Sequence, residues 1–149
     1  MAKRKIAIGC DHAAVELKDA LVVWLTENGF EPVDCGIQTG GRVDYPVMAQ
    51  AVCGKVTAGE CEKGVLCCGT GVGMSMAANK VRGIRAALCP DYYSAKYTRL
   101  HNDANVACFG ARVMGPELVK ELLNVFLTTE FEGGRHQDRV DLVMRIEQE

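Results

Sequence analysis

The sequence predicts an α/β protein: a three-layer α/β/α sandwich around a five-stranded parallel sheet, in the Rossmann-like class. Three observations predict it. Short apolar runs of strand length alternate with longer segments of helical period along all 149 residues. The central runs, Val65-Leu-Cys-Cys68 and Val106-Ala-Cys-Phe109, are apolar at successive positions rather than alternate ones, as strands covered on both faces must be. Connections are short, and no repeat, linker or low-complexity stretch interrupts them. Parallel neighbours need crossover helices on the sheet faces, so this alternation implies the sandwich.

Each element has its own signal. Lys5-Ile-Ala-Ile-Gly-Cys10 reads as the first strand. After Asp11-His12 a helix runs from about Ala13 to Asn28. Its Leu17, Leu21, Trp24 and Leu25 form one apolar stripe, with Glu16, Lys18 and Asp19 elsewhere on the helix. Trp24 is therefore read as core, and Gly29 as the residue that stops the helix. Glu31 to Cys35 is a short second strand, and Gly36 to Tyr45 a polar, glycine-rich loop. Pro46 suits the first turn of a helix reaching about Thr57. Val65 to Cys68 is the third strand, followed by a glycine turn and a helix from Met74 to Lys80. Ile84 to Leu88 is the fourth strand; Pro90-Asp91 opens a helix that ends near His101-Asn102. Val106 to Phe109 is the fifth strand. Gly115-Pro116 starts a helix to about Leu127, and a last helix, about residues 134–147, follows Gly133-Gly134. The whole chain, 1–149, is expected to be one domain whose C-terminal helix completes the site or a dimer.

Composition removes several function classes. The net charge of −2 argues against a nucleic-acid partner, so any anion site must be a local cluster. The apolar run after the basic N-terminus stops at Gly9, too short for a signal-peptide core, and no run approaches the ~18 residues of a membrane span. A cytoplasmic protein is expected. The eight cysteines contain no C-x-x-C pair and no zinc-like Cys/His spacing, so reduced, mostly buried thiols and no metal are expected.

The stretch richest in chemistry is Cys68-Gly-Thr-Gly-Val-Gly73. A strand, then glycines at alternate positions, then a helix start point several backbone N–H groups into one small volume, where an anion is favoured. Cys67 and Cys68 project to opposite sheet faces, and Cys68, at the strand end, is the thiol that can meet the loop. Read alone, the turn is weak evidence: it is neither a P-loop nor a G-x-G-x-x-G fingerprint, and most strand cysteines are inert packing. Asp11-His12 ends another strand, as an N-cap or as ligands. His101-Asn102 closes a helix, as a plain cap or as a functional pair. Arg135 and Arg139 lie one helical turn apart and can clamp a phosphate or simply be solvated. Arg112, just after the fifth strand, is a third candidate cation. In parallel sheets ligands sit beyond the C-terminal strand ends where strand order reverses. With strands one and three adjacent there, Asp11-His12 would face Cys68 to Gly73.

Several segments occur together in order and spacing: Gly9-Cys-Asp-His12, Asp44-Tyr-Pro46, Cys68 to Gly73 with Ala77-Ala-Asn-Lys80, His101-Asn-Asp-Ala-Asn105, and Phe131-Glu-Gly-Gly-Arg-His136 with Arg139. In combination they resemble the type B ribose-5-phosphate isomerase family, which also contains galactose-6-phosphate and allose-6-phosphate isomerases. The resemblance covers nearly the whole chain. It implies an aldose–ketose isomerase that moves a proton between C2 and C1 of a phosphorylated sugar through a cis-enediolate, with no cofactor. By that resemblance Cys68 is the base, and Thr70 with the amides of Gly69, Gly71, Val72 and Gly73 holds the enediolate oxygen. His101 helps open the sugar ring and Asp11 steers hydroxyls. His12, Arg112, Arg135 and Arg139 hold the phosphate, and Asn102 and Tyr45 contact substrate. It further implies a homodimer, paired or not into a tetramer, with His101, Asn102 and Arg112 supplied by a second subunit.

Two departures from the family pattern bear on this reading. Part of the family carries a glutamate base inside the glycine loop; Met74 stands there, which places this chain with the cysteine-base branch. Ala14-Val15 replaces a more usual Gly-aromatic pair, changing the pocket wall. A hexose-6-phosphate isomerase of the same family would use the same residues. A non-catalytic flavodoxin-like module binding nucleotide at the same crevice is the alternative from another class.

Overall fold

The computed structural model describes residues 2–37 and 41–149; the centre of the loop after Gly36 lies outside them. Five parallel strands, β1 (Lys5–Cys10), β2 (Glu31–Gly36), β3 (Lys63–Cys68), β4 (Ala86–Leu88) and β5 (Val106–Gly110), form one sheet in the order β2-β1-β3-β5-β4. Six helices connect and cover it: α1 (Val15–Glu27), α2 (Tyr45–Thr57), α3 (Val72–Ala78), α4 (Tyr92–Asn102), α5 (Pro116–Thr128) and α6 (Arg135–Arg145), with a 3₁₀ turn at Ile146–Gln148. The sandwich is as expected from the alternation.

Crossover handedness distributes the helices. The steps from β1 to β2 and from β4 to β5 move one way across the sheet, and those from β2 to β3 and β3 to β4 move the other. Right-handed connections therefore put α1 and α4 on one face and α2 and α3 on the opposite face. The core divides accordingly. Ile6, Ile8, Val65, Cys67 and Phe109 pack with Leu21, Leu25, Leu123 and Phe126 from α1 and α5. Ala7, Leu66, Cys68 and Cys108 pack with Val52, Cys53, Met74 and Ala78 from α2 and α3. Cys67 and Cys68 thus face opposite layers, as strand alternation requires.

Three local expectations change. The helix expected from Ala13 begins at Val15, because Asp11 Oδ1 accepts the Ala13 N–H at 2.9 Å and holds a turn between strand and helix. The fourth strand, expected from Ile84, is only Ala86–Leu88, because Arg85 and Ala86 instead donate their N–H groups to Asn105 and Asn79 side chains at 2.8 Å. Lys18, read on the outer side of its helix, is buried, its ammonium 2.8 Å from Asp34 on β2 and 2.9 Å from Asp19. A lysine stem covers apolar surface while its head reaches a carboxylate at the edge. Trp24 is half-buried and stacks on Phe30 at 6.3 Å, at the margin of the core.

Candidate active site

The reversal in strand order falls between β1 and β3, whose C-terminal ends pair Cys10 with Cys67. Asp11 follows β1 and Cys68 ends β3, so the two expected polar ends are neighbours at the C-terminal edge of the sheet. Asp11 is almost fully buried there, its N–H donating to the Cys67 carbonyl at 3.2 Å. His12 beside it is exposed and lines a cavity of about 650 Å³ with Val15, Glu16, Leu17, Met114 and Pro116. Val15, one of the two departures noted above, is therefore a wall of that cavity.

The loop after β3 wraps its own thiol. Gly71 is left-handed at φ 81°, and its N–H donates to Cys68 Sγ at 3.1 Å. A side chain at Gly71 would meet Leu88 at 2.6 Å and the Phe109 backbone at 2.9 Å, so only glycine turns the chain here. That donor ties the sulfur to the turn and fixes its position at the mouth of the loop. Thr70 Oγ1 accepts the Val72 N–H at 3.2 Å, leaving the hydroxyl proton to donate outward. The first backbone bond of α3 is Ser75 N–H to the Gly71 carbonyl, so the amides ahead of it have no acceptor in the helix. This crowd of donors can hold an oxyanion. Met74 is fully buried beneath the loop and offers no proton acceptor.

Two neighbours complete this half of the site. The Tyr45 ring lies against Gly73, close enough that a β-carbon there would approach its Cζ to 2.9 Å. Arg112 N–H donates to the Gly69 carbonyl at 3.0 Å, and the arginine side chain lies across Gly69, with Cδ 3.5 Å from where a β-carbon would be. Within the chain, the Arg112 guanidinium thus lies beside the loop that follows β3.

His101 and Asn102 are elsewhere. Helix α4 descends from the C-terminal end of β4 to the N-terminal end of β5, and its last turn carries both residues. Asn105, just beyond, accepts the Gly64 N–H at 2.9 Å near the start of β3. Cys68 pairs with Gly110 at the far end of β5. At ~3.3 Å per residue, the length of β5 puts about 13 Å of sheet between the two groups. Two arginines hold that helix end. Arg85 donates to the Asn102 carbonyl at 3.0 Å and the Asp103 carbonyl at 2.8 Å; buried Arg99 donates to Asp103 Oδ1 at 2.8 Å and the Ala104 carbonyl at 2.6 Å. Neither arginine carried a recognisable signal in the sequence.

A cavity of about 820 Å³ opens beside this helix end, lined by His101, Asn102, His136, Arg139, Lys80, Arg82 and Arg85 among others. Arg139 faces it and Arg135 stands one turn earlier on α6; both are exposed, and among the described residues neither is ion-paired. His101, Glu132 and His136 place their ligand atoms within 4.8 Å of one another. The two imidazoles lie nearly parallel, 9° apart with centroids 3.9 Å apart, so their in-plane lone pairs do not converge on one ion. The arrangement is not built as a metal centre.

A parallel sheet with a loop-wrapped thiol at its reversal point, and a cationic cavity at the opposite end, defines a class: Rossmann-like α/β proteins with polar groups gathered at the strand ends where this fold holds small ligands. The particular family follows from comparison. Residues 6–143 match the ribose/galactose isomerase family, to which the chain belongs. It is 50% identical to ribose-5-phosphate isomerase B of Escherichia coli over 145 residues, covering 97% of each chain. It is 44% identical to D-erythrulose-4-phosphate isomerase of Pectobacterium atrosepticum, over 93% of this chain and 91% of that one. The solved ribose-5-phosphate isomerase B of Clostridium thermocellum superposes with a TM-score of 0.95 at 44% identity, covering 97% of each. The chain is an isomerase of this family. No helix among the described residues is long and apolar enough to cross a membrane.

Proposed function

We propose that this isomerase interconverts ribose 5-phosphate and ribulose 5-phosphate by moving one proton between C2 and C1 through a cis-enediolate. The observation that carries the reading is the Gly71 N–H on Cys68 Sγ, which sets the thiol against the glycine loop at the sheet's reversal point. A proton beside a carbonyl is weakly acidic, so removing it needs both a positioned base and donors for the oxygen that becomes negative. Cys68 takes the proton; Thr70 and the amides of Gly69 to Gly73 hold the enediolate. Asp11 steers the sugar hydroxyls, with Tyr45 and Asn102 as further contacts. His12, Arg112, Arg135 and Arg139 bind the phosphate. His101 exchanges protons with the closed sugar so that it opens.

The separation of His101 from Cys68 along β5 supports a site shared between two copies of the chain, His101 and Asn102 of one meeting Cys68 of the other. A homodimer is then the smallest complete unit, with a tetramer as its pairing. The reading also takes residues 1–149 as one cytoplasmic domain, with α6 completing the site. It needs no metal or organic cofactor, because the loop supplies the electrophilic stabilisation.

The second reading, a hexose-6-phosphate isomerase, is favoured by the family's galactose branch and by Val15 in place of a bulkier wall. Parallel kcat/KM measurements on ribose 5-phosphate, allose 6-phosphate and galactose 6-phosphate decide between them. A preference of tenfold or more for the pentose supports the proposal; an equal preference for a hexose overturns it.

A further inference from the structure

His136 belongs to none of the roles above, yet it makes the closest aromatic contact among the described residues. Its ring stacks face to face on His101 at 3.9 Å. His101 also meets Tyr97 in a T-shaped contact at 5.0 Å, and Tyr97 in turn stacks on Tyr93 at 4.1 Å. A ladder of rings from α4 thus ends on α6. Glu132 faces both imidazoles, with Oε2 3.8 Å from His101 Nε2 and 3.6 Å from His136 Nε2. Its backbone is pinned by Glu132 N–H donating to the Leu100 carbonyl at 3.1 Å. His136 is buried, while the His101 side chain retains about a third of its exposure, so His101 is the ring more open to a sugar.

We propose that His136 and Glu132 are positioning residues for His101: the stacked ring and the facing carboxylate hold its imidazole in the single orientation that opens the sugar ring. The proposal rests on the isomerase reading above. Opening a cyclic aldose breaks the bond from C1 to the ring oxygen and makes the C1 carbonyl. One proton leaves the C1 hydroxyl and another arrives on the ring oxygen, with no net gain or loss. Such transfers need donor and acceptor within ~2.6–3.2 Å, and an error of about 1 Å can cost about a hundredfold. A histidine at a helix end, open to solvent on one edge, needs walls to meet that tolerance. The stacked face of His136 and the Tyr97 ring set at 77° to His101 are those walls.

The charges point the same way. Two imidazolium rings at this spacing repel, so the pair carries one proton cheaply and two at a cost. Burial, His101, Arg135 and Arg139 all disfavour a proton on His136, and Glu132 alone among its charged neighbours favours one. Lys80, Arg82 and Arg85 line the same cavity and add positive charge. Of the two rings, His136 is therefore the one less able to hold a proton, and it serves as a neutral wall.

Substrate chemistry gives a clean test. Ribose 5-phosphate closes through O4 and must be opened. Ribulose 5-phosphate would have to close through O5, which carries the phosphate, so it stays open and exchanges its C1 proton without help from His101. Turnover of ribose 5-phosphate and deuterium uptake from D₂O at C1 of ribulose 5-phosphate are measured on the same samples of wild type, His136→Asn, His136→Phe and Glu132→Gln. His136→Asn and Glu132→Gln are expected to lose at least about tenfold in ribose 5-phosphate turnover, with exchange within about threefold of wild type. His136→Phe, which keeps a flat ring, is expected to restore turnover to within about threefold. The ratio of the two rates is independent of the folded fraction, so a poorly folded variant does not imitate the result. Both rates falling together, or turnover unaffected by His136→Asn, overturns the proposal. Cys68→Ala must abolish exchange; exchange that survives it instead overturns the isomerase site.

Discussion

Gly110 supports the Thr70 peptide directly: a β-carbon on Gly110 would lie 2.5 Å from the Thr70 oxygen and 2.8 Å from its α-carbon. The floor of the loop is therefore the last residue of β5, and the obstruction is backbone, which cannot swing aside. Gly110→Ala should lift the loop from its thiol, lowering kcat/KM by about a hundredfold and stability by about 1–3 kcal/mol. Steady-state kinetics and denaturant unfolding read the two effects. Gly54, on the outside of α2 with nothing within 4 Å of its would-be β-carbon, is the contrast. Gly54→Ala should raise stability by about 0.5–1 kcal/mol.

Removing the base should stop the chemistry and spare the binding. Cys68→Ala is expected to reduce turnover by at least about a thousandfold while sugar-phosphate affinity, followed by calorimetry, changes by less than about threefold. Turnover near the wild-type rate would exclude Cys68 as the base.

The arginines of α6 should behave in the opposite way. If the phosphate is held equally in ground and transition states, Arg135→Ala and Arg139→Ala raise KM about tenfold or more and leave kcat nearly unchanged. An equal fall in kcat at constant KM would make them part of the chemical step.

Thiol labelling should single out few of the eight cysteines. Burial pushes the Cys53 and Cys89 thiols up to about 12, and raises Cys10, Cys67 and Cys108 for the same reason. The thiolate is the reactive form, so at neutral pH these five should resist iodoacetamide until the protein unfolds. Loss of turnover should track modification of Cys68 in peptide mass spectra, and substrate should slow both together.

An acid-side prediction follows from Glu62. Arg4, donating through Nε at 2.7 Å, lowers the Glu62 carboxyl to about 2, with Lys63 adding a second bond at 2.9 Å. A depressed carboxyl contributes stability above its unfolded value of about 4.3, and that contribution disappears as pH falls toward about 2. Because the pair is partly exposed, solvent limits it to less than about 1 kcal/mol. The stability difference between wild type and Glu62→Gln should be present at pH 6 and vanish near pH 2; a difference constant over that range would refute the coupling.

The layers of this fold were legible because they follow from periodicity, which is local. Val65 to Cys68 could only be a strand covered on both faces, and Cys68 rather than Cys67 had to face the loop. Strand order was less accessible: β5 inserts between β3 and β4, a choice made by packing that no single segment announces. The site was legible as a list of residues but not as an arrangement. Nothing near Arg112 in sequence places it across Gly69, and nothing near His101 shows that α4 carries it to the other end of the sheet. His136 stood inside a recognised motif without a role, because its partner His101 lies on a different helix. Arg85 and Arg99 were missed for a related reason, since apart from the Asp103 carboxylate their bonds go to carbonyls, and carbonyls leave no trace in residue identity.

The length of β5 has a genetic consequence under the two-copy reading. A variant dead for want of Cys68 still carries a sound His101, and a variant lacking His101 still carries a sound Cys68. Unfolded together and refolded, Cys68→Ala and His101→Asn chains would assort at random, and about half of the dimers would hold one of each. Every such hybrid would contain one ruined site and one whole one. Two inactive proteins would yield an active mixture, and the yield would count the residues each subunit lends to the other.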